Sequence, residues 1–231
     1  MSGGVIEVQG LTYTYPDGTE ALRGVDFRLG AGESVAVFGA NGSGKTTFLL
    51  HLAGLLRGAG EIKVCGVELE DKSLPEIRRN VGFVFQDSDD QLFMPTVLED
   101  VAFGPLHRGV EGAESIRRAK EILETLGISH LADKAPYHLS AGEKKRAALA
   151  GVLVMQPDVL VFDEPTTFLD PPGQQELARL LVALPQAKLI ATHDIAFASR
   201  VASRAVFFAS GRIAGEGSVE AVADRFHWRL S

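Results

Sequence analysis

Gly39-Ala-Asn-Gly-Ser-Gly-Lys45-Thr46, preceded by the apolar run Ser34-Val-Ala-Val-Phe38 and followed by helical spacing from Thr46 to Leu56, decides the class of this fold. A strand, a turn of the form Gly-x4-Gly-Lys-Ser/Thr and a helix together make a phosphate-binding loop. Glycines let the backbone wrap closely around an anion, so that successive N–H groups point inward at phosphate oxygens. The helix opening near Thr46 adds the positive end of its dipole. Lys45 supplies a mobile point charge for the β- and γ-phosphates, and the Thr46 hydroxyl suits Mg²⁺. Gly39, Ala40, Asn41, Gly42, Ser43, Gly44, Lys45, Thr46 and Thr47 are therefore the expected nucleotide-binding residues.

Val81-Gly-Phe-Val-Phe85, Val159-Leu-Val-Phe162 and Lys188-Leu-Ile-Ala191 are short apolar runs, as strands covered on both faces are. Helical segments separate some of them, which indicates a mainly parallel α/β core. Before the loop, Val5–Gln9, Leu11–Tyr15 and the trio Val25, Phe27 and Leu29 alternate, with a turn at Pro16-Asp-Gly18. That stretch predicts a small antiparallel sheet. From Gln86 to Ser140 the strand signals stop. Thr96-Val-Leu-Glu99 is a capping box. Glu114 to Leu126 carries Ile116, Ala119, Leu123 and Leu126 at helical steps and ends at Gly127. The region reads as a mostly helical insertion. Ala205-Val-Phe-Phe208, Ser210-Gly211 and Arg212-Ile-Ala214 read as a hairpin, followed by a short acidic helix and a tail. The expected organisation is a single domain over 1–231, with about 1–86 and 156–231 as β subdomain plus core and about 87–155 as helical subdomain.

Composition narrows the function. With 23 Lys and Arg against 30 Asp and Glu, the net charge of −7 argues against a general nucleic-acid binder. A single cysteine, Cys65, makes no intramolecular disulfide and fits a reducing compartment. The longest apolar run, Ala147 to Met155, has nine residues. A membrane span needs about 20. Met1-Ser-Gly-Gly4 carries no signal-peptide core, so a soluble intracellular chain is expected.

Asp163 and Glu164 follow the apolar run at Val159, at the strand edge where ligands sit in an open α/β sheet. Asp163 suits Mg²⁺ and Glu164 suits a base that takes a proton from, or orients, the water attacking a γ-phosphate. Leu139-Ser-Ala-Gly-Glu143-Lys-Lys-Arg146 then resembles the signature of the ATP-binding cassette (ABC) family, usually Leu-Ser-Gly-Gly-Gln followed by basic residues. Physically, Ser140 with Glu143 is a second capping box, opening a helix expected to reach about Met155.

The resemblance implies an α/β fold: a P-loop NTPase (RecA-like) core with an N-terminal antiparallel β subdomain and an inserted α-helical subdomain. It implies ATP and Mg²⁺, with Thr46, Gln86 and Asp163 at the metal and Glu164, His193 and Gln86 in catalysis. Ser140, Ala141, Gly142 and Glu143 would act in trans on a partner's nucleotide. Asp170, in Thr167-Phe-Leu-Asp170, would sit in the loop that crosses to that partner. Tyr15 resembles the aromatic on which adenine stacks, with Tyr13 a competing choice on the same strand face. Three positions depart from the family pattern. Ala141 replaces a glycine, Glu143 replaces glutamine, and Phe168 stands where glycine is common.

The stretch from Gln86 to Pro105, with Asp-Asp90-Gln-Leu-Phe93 and Val-Ala-Phe-Gly104, resembles the ATPase subunits of cobalt, nickel and other energy-coupling-factor (ECF) importers. Leu92, Phe93 and Met94 are apolar groups in an expected loop, suited to cover by a partner's amphipathic helix. The resemblance thus implies a dimeric ATPase, homodimeric or paired with a related subunit. It would sit peripherally on the cytoplasmic face of the membrane with a transmembrane coupling subunit and a substrate-capturing subunit. Cobalt or nickel is the expected cargo and a vitamin the alternative. A soluble ABC ATPase of nucleic-acid or ribosome metabolism is a further alternative, against which stand the acidic charge and the single cassette.

Overall fold

The computed structural model describes residues 4–228, so the expectation made for Met1-Ser-Gly lies outside the described residues. Along the chain come β1 (Ile6–Thr14), β2 (Glu20–Leu29), β3 (Ser34–Gly39), α1 (Lys45–Leu52), β4 (Ala59–Val64), β5 (Val67–Glu68), α2 (Leu74–Asn80) and β6 (Val81–Val84). Then follow α3 (Val97–His107), α4 (Gly112–Thr125) and α5 (Ala141–Leu153). The chain closes with β7 (Val159–Asp163), α6 (Pro171–Ala183), β8 (Ala187–Ala191), α7 (Ile195–Val201), β9 (Arg204–Ala209), β10 (Arg212–Gly217) and α8 (Val219–Arg225).

Two sheets form. One is antiparallel in the order β2-β1-β4-β5; the other runs β10-β9-β3-β8-β7-β6, parallel except for β10. Successive residues of β7 point to opposite faces of the larger sheet, as the strand period of two requires. Val159 and Val161 pack with Phe48 and Leu49 of α1 and with Ile6, Leu11 and Leu22 of the antiparallel sheet. Leu160 and Phe162 pack on the other side with Ala148 and Leu149 of α5 and Leu177 of α6. Continuous hydrophobicity in β7 is therefore the mark of a strand with helices or a second sheet on both faces.

Both expected capping boxes form, at Thr96 with Glu99 and at Ser140 with Glu143. Several boundaries differ from the sequence reading. The segments read as two strands, Val5–Gln9 and Leu11–Tyr15, are one strand whose pairing slips around Gly10 (φ 60°). The helix read from Thr46 to Leu56 stops at Leu52, because Gly54 (φ 64°) turns the chain. The helix read to Met155 stops at Leu153. Elements β4, β5 and α2 were not anticipated: only Ile62 and Val64 of β4 are buried, so the alternation is too short to stand out. Among the described residues no helix is long and apolar enough to cross a membrane.

His51 of α1 packs against Tyr13 of the antiparallel sheet. It is fully buried, its Nδ1 donates to the Thr47 carbonyl at 2.7 Å, and its Nε2 has no partner among the described residues. Burial pulls its pKa below the usual 6.5, opposed by the Thr47 carbonyl. The unfolded chain therefore takes up this proton more readily than the folded one. The contribution of neutral His51 is complete above pH 6.5 and is lost as pH falls from there toward the depressed value. The expected outcome is a thermal midpoint that drops between pH 7.5 and 5.5, with a shallower drop in His51→Gln. Equal slopes in the two proteins would refute this.

Candidate nucleotide site

Strand order places the site. The neighbours β3, β8, β7 and β6 deliver, from their carboxyl ends, the glycine loop, His193, Asp163 with Glu164, and Gln86. Such an edge is where open α/β sheets hold ligands. A cleft of about 360 Å³ lies there, lined by Tyr15, Asn41, Gly42, Gly44, Lys45, Thr46, Thr47, Gln86, Asp163 and Glu164 among others.

The loop is held where a phosphate would need it. Gly39 has φ 144°, and a Cβ there would lie 2.4 Å from the Phe208 carbonyl oxygen. Gly44 (φ 106°) opens α1, and no side chain caps the helix start. The uncapped end turns its N–H groups and positive dipole into the cleft. From behind, the Gly211 N–H donates to the Ser43 carbonyl at 2.9 Å, and the Arg23 N–H donates to the Gly211 carbonyl at 2.9 Å. Gly211 belongs to the tight turn of the β9–β10 hairpin, where Ser210 and Gly211 have φ 49° and 76°. Both angles are what a two-residue hairpin turn with matching twist demands.

Charges in the cleft are coupled. Lys45 is only 7% exposed, and its Nζ donates to the carbonyls of Gly39 at 2.6 Å and Ala40 at 3.1 Å. Burial lowers its pKa, while Glu164 and Asp163 pull the other way. Thr46 Oγ1 donates to Asp163 Oδ2 at 2.8 Å. Burial raises the Asp163 carboxyl, opposed by that bond and by Lys45 and Lys145. Thr46, Asp163 and Gln86 bring only hard oxygen donors to one wall of the cleft, the set that suits Mg²⁺.

Glu164 follows with φ 43°, its N–H bound to the Ala191 carbonyl at 2.9 Å. Its Oε2 accepts from His193 Nδ1 at 2.8 Å and from the His193 N–H at 3.3 Å. The base candidate and the strand-end histidine are thus one hydrogen-bonded pair. Tyr15 lines the cleft and its hydroxyl lies 3.0 Å from Thr47 Oγ1. Tyr13 packs edge-on against both Tyr15 and His51, at 4.9 Å and 4.7 Å between ring centres. Of the two tyrosines, Tyr15 is the one on the cleft wall.

Comparison with known proteins agrees with this geometry. Residues 22–167 match the family model described as ABC transporter. A putative ABC transporter ATP-binding protein of Geobacter sulfurreducens is 51% identical over 218 residues, covering 94% of this chain and 88% of its own length. The chain belongs to the ABC transporter ATPase family. The energy-coupling factor transporter ATP-binding protein EcfA of Methanothermobacter thermautotrophicus is 47% identical to this cassette, over 93% of it and 71% of the relative. Among solved structures, cbiO1 of Clostridium perfringens, described as part of the ABC transporter complex cbiONQ, superposes with a TM-score of 0.87. It is 38% identical over 97% of this chain and 92% of its own. A cassette dimer in a post-hydrolysis state bound to ADP and Pi gives 0.82, at 29% identity over 93% of this chain and 98% of its own. The cassette is thus an ATP-binding, ATP-hydrolysing protein of a transport family.

The signature residues stand apart from the cassette's own cleft. Ser140 Oγ accepts the Glu143 N–H at 3.4 Å, and Glu143 Oε2 accepts the Ser140 N–H and hydroxyl, each at 2.8 Å. Ser140 and Ala141 are exposed, and Gly142 and Glu143 are half-buried. None of the four lines the wall that holds Lys45. Ala141 instead shares a second groove with Gln86, Thr167 and Phe168. Asp170 caps α6, accepting the Gly173 N–H at 2.9 Å.

The apolar loop expected at Leu92, Phe93 and Met94 needs correction. Leu92 is 9% exposed and packs in the core with α3, α4 and α5. Phe93 is 65% exposed and meets Phe103 edge-on at 5.0 Å, with Leu106 exposed on the same helix as Phe103. Asp100 sets this turn, its Oδ1 accepting the N–H groups of Phe93 at 3.0 Å and Met94 at 3.1 Å. The outward apolar surface is therefore Phe93 with α3, and Leu92 anchors it from inside.

Phe168 adopts φ 67° and is 70% exposed. A bulky side chain in the left-handed region costs about 1–2 kcal/mol, which accounts for glycine being common there. Because little burial is lost, Phe168→Gly should raise stability by about 1 kcal/mol, read as the midpoint of denaturant unfolding. A destabilised variant would mean that the ring makes contacts that outweigh the strain.

Proposed function

We propose that this cassette is the ATP-hydrolysing subunit of an ECF-type importer and works as a dimer, with a second copy or a related ATPase subunit. The observation that carries the proposal is the division of the site. One cleft gathers the glycine loop, Asp163, Glu164 and Gln86, while the exposed, capped start of α5 lies outside it. Two chains facing one another would add Ser140, Ala141, Gly142 and Glu143 of each to the nucleotide of the other. The dimeric state of the solved post-hydrolysis cassette and the name of the EcfA relatives support this reading.

In the cycle we propose, Lys45 exchanges its own loop carbonyls for phosphate oxygens, and the loop N–H groups complete the cradle. Mg²⁺ held by Thr46, Asp163 and Gln86 would neutralise phosphate charge when bound. Glu164 accepts a proton from the attacking water as the water oxygen bonds to the γ-phosphorus and the bond to ADP breaks. His193, held by Glu164, stands beside the departing phosphate, and Tyr15 offers its ring to adenine. ATP favours the closed pair and its products the open one, a cycle driven by differential affinity. Gln86 and the Phe93–Phe103 surface would pass the motion to an amphipathic segment of a transmembrane subunit, placing the chain peripherally on the cytoplasmic face. The cargo we propose is cobalt or nickel, from the resemblance at 86–105, with a vitamin as the alternative.

Replacing one carboxylate oxygen by an amide tests the mechanism. Glu164→Gln should keep ATP affinity, lose about 100-fold or more in turnover, and elute as a dimer with Mg-ATP. A monomeric variant with full ATPase would sink it. The membrane contact is tested separately. Phe93→Asp should shift the chain from washed membranes to the soluble fraction while ATP binding is unchanged; unaltered membrane retention would remove this surface from the interface.

A further inference from the structure

Lys145 is 3% exposed on α5, on the face that also carries Leu149 and Val152 one and two turns later. A lysine in an apolar stripe is tolerated only where its ammonium is satisfied. Here Nζ donates to two main-chain carbonyls, Gln86 at 2.8 Å and Phe85 at 3.2 Å. Asp87 and Asp163 face the same ammonium electrostatically.

Both acceptors lie just beyond β6, an edge strand whose sheet neighbour is β7. On the α5 side, Lys145 is joined by a second link. Gln91 Nε2 donates to the Ala148 carbonyl at 3.0 Å, while Gln91 Oε1 accepts the Phe85 N–H at 3.4 Å. Lys144 also reaches Asp89 at 2.6 Å, but Asp89 is 61% exposed and such a pair contributes little. The ammonium grips backbone, so it governs the path of the chain from which the Gln86 side chain projects.

We propose that Lys145 is a positioning residue that locks the Gln86 turn to the helix bearing Ser140–Glu143, so that the two move as one body. The signature of a chain, acting on its partner's nucleotide, would thereby set the glutamine at that chain's own nucleotide. This rests on the reading of Gln86 as a residue that touches Mg²⁺ or the attacking water.

The test is a mutant cycle in the full-length chain with Mg-ATP, reading kcat and KM. Lys145→Met removes the ammonium and keeps an unbranched stem. It should lower kcat about tenfold and move KM less than twofold, and Lys145→Arg should restore most of the rate by donating to both carbonyls. In a Gln86→Ala background Lys145→Met should add nothing, the mark of two residues acting through one element. Multiplied losses, an unchanged kcat, or a rise in KM alone would overturn the inference and leave Gln86 in place if Gln86→Ala is itself slow. A Gln86→Ala variant at full rate would overturn the reading of Gln86, and this inference with it. Should Lys145→Met fail to fold by circular dichroism, Gln91→Ala replaces it in the same cycle. A loss there that persists without Gln86 is then the refuting result.

Discussion

The register of three parallel strands governs the rest of this structure. Val37 of β3 pairs with Ala191 of β8, and Ala191 pairs with Asp163 of β7. One row across the sheet therefore ends beside the glycine loop, the His193 turn and the acidic pair at the same height. A slip of one residue in β7 would send Asp163 to the opposite face and break its bond to Thr46, 117 residues away in the chain. Burial of both faces holds that register, because Val161 and Phe162 are each committed to a different apolar cluster. The chemistry at the edge thus inherits its geometry from the hydrophobic packing of the residues immediately before it.

Much of this was legible in the amino-acid order. A phosphate loop announces itself because the chemistry needs particular residue types at fixed spacing, and the capping boxes at Thr96 and Ser140 do so for the same reason. Local rules also located the β9–β10 turn at Ser210-Gly211. What stayed illegible depends on which way a side chain turns. Leu92 and Phe93 are neighbours of similar apolarity, yet Leu92 enters the core and Phe93 faces out. The choice is made by Asp100, whose carboxylate takes two backbone N–H groups and fixes the turn between them. Lys145 was read as one of a basic run following the signature. Its place in the stripe with Leu149 and Val152 was the available sign that it points inward.

The three departures from the family pattern differ in their local physical consequences. Glu143 satisfies the cap as glutamine would, accepting from Ser140, and those bonds hold its carboxyl below the usual range. At Ala141 the extra methyl meets the exposed side of the helix start, where only an opposing surface would notice it. Phe168 is different in kind, since its cost lies in the backbone and is present in the lone chain.

The charged groups of the cleft are satisfied by the protein's own atoms. Lys45 donates to loop carbonyls, and the Thr46 hydroxyl donates to the Asp163 carboxylate. Each contact answers a desolvation cost that burial imposes on Lys45 and Asp163. In the proposed cycle a phosphate with its cation would replace these partners by charge-assisted ones. The loop backbone is held from behind, since Gly39 pairs with Phe208 of β9 and the Ser43 carbonyl accepts the Gly211 N–H. The helical region is covalently joined to the sheet through the ends of β6 and β7, and the Lys145 and Gln91 bonds reach that junction directly. Helix α5 thus bears on the cleft in two ways, through apolar packing on β7 and through the Lys145 and Gln91 bonds, so a force on its exposed start has a direct route to the Gln86 turn.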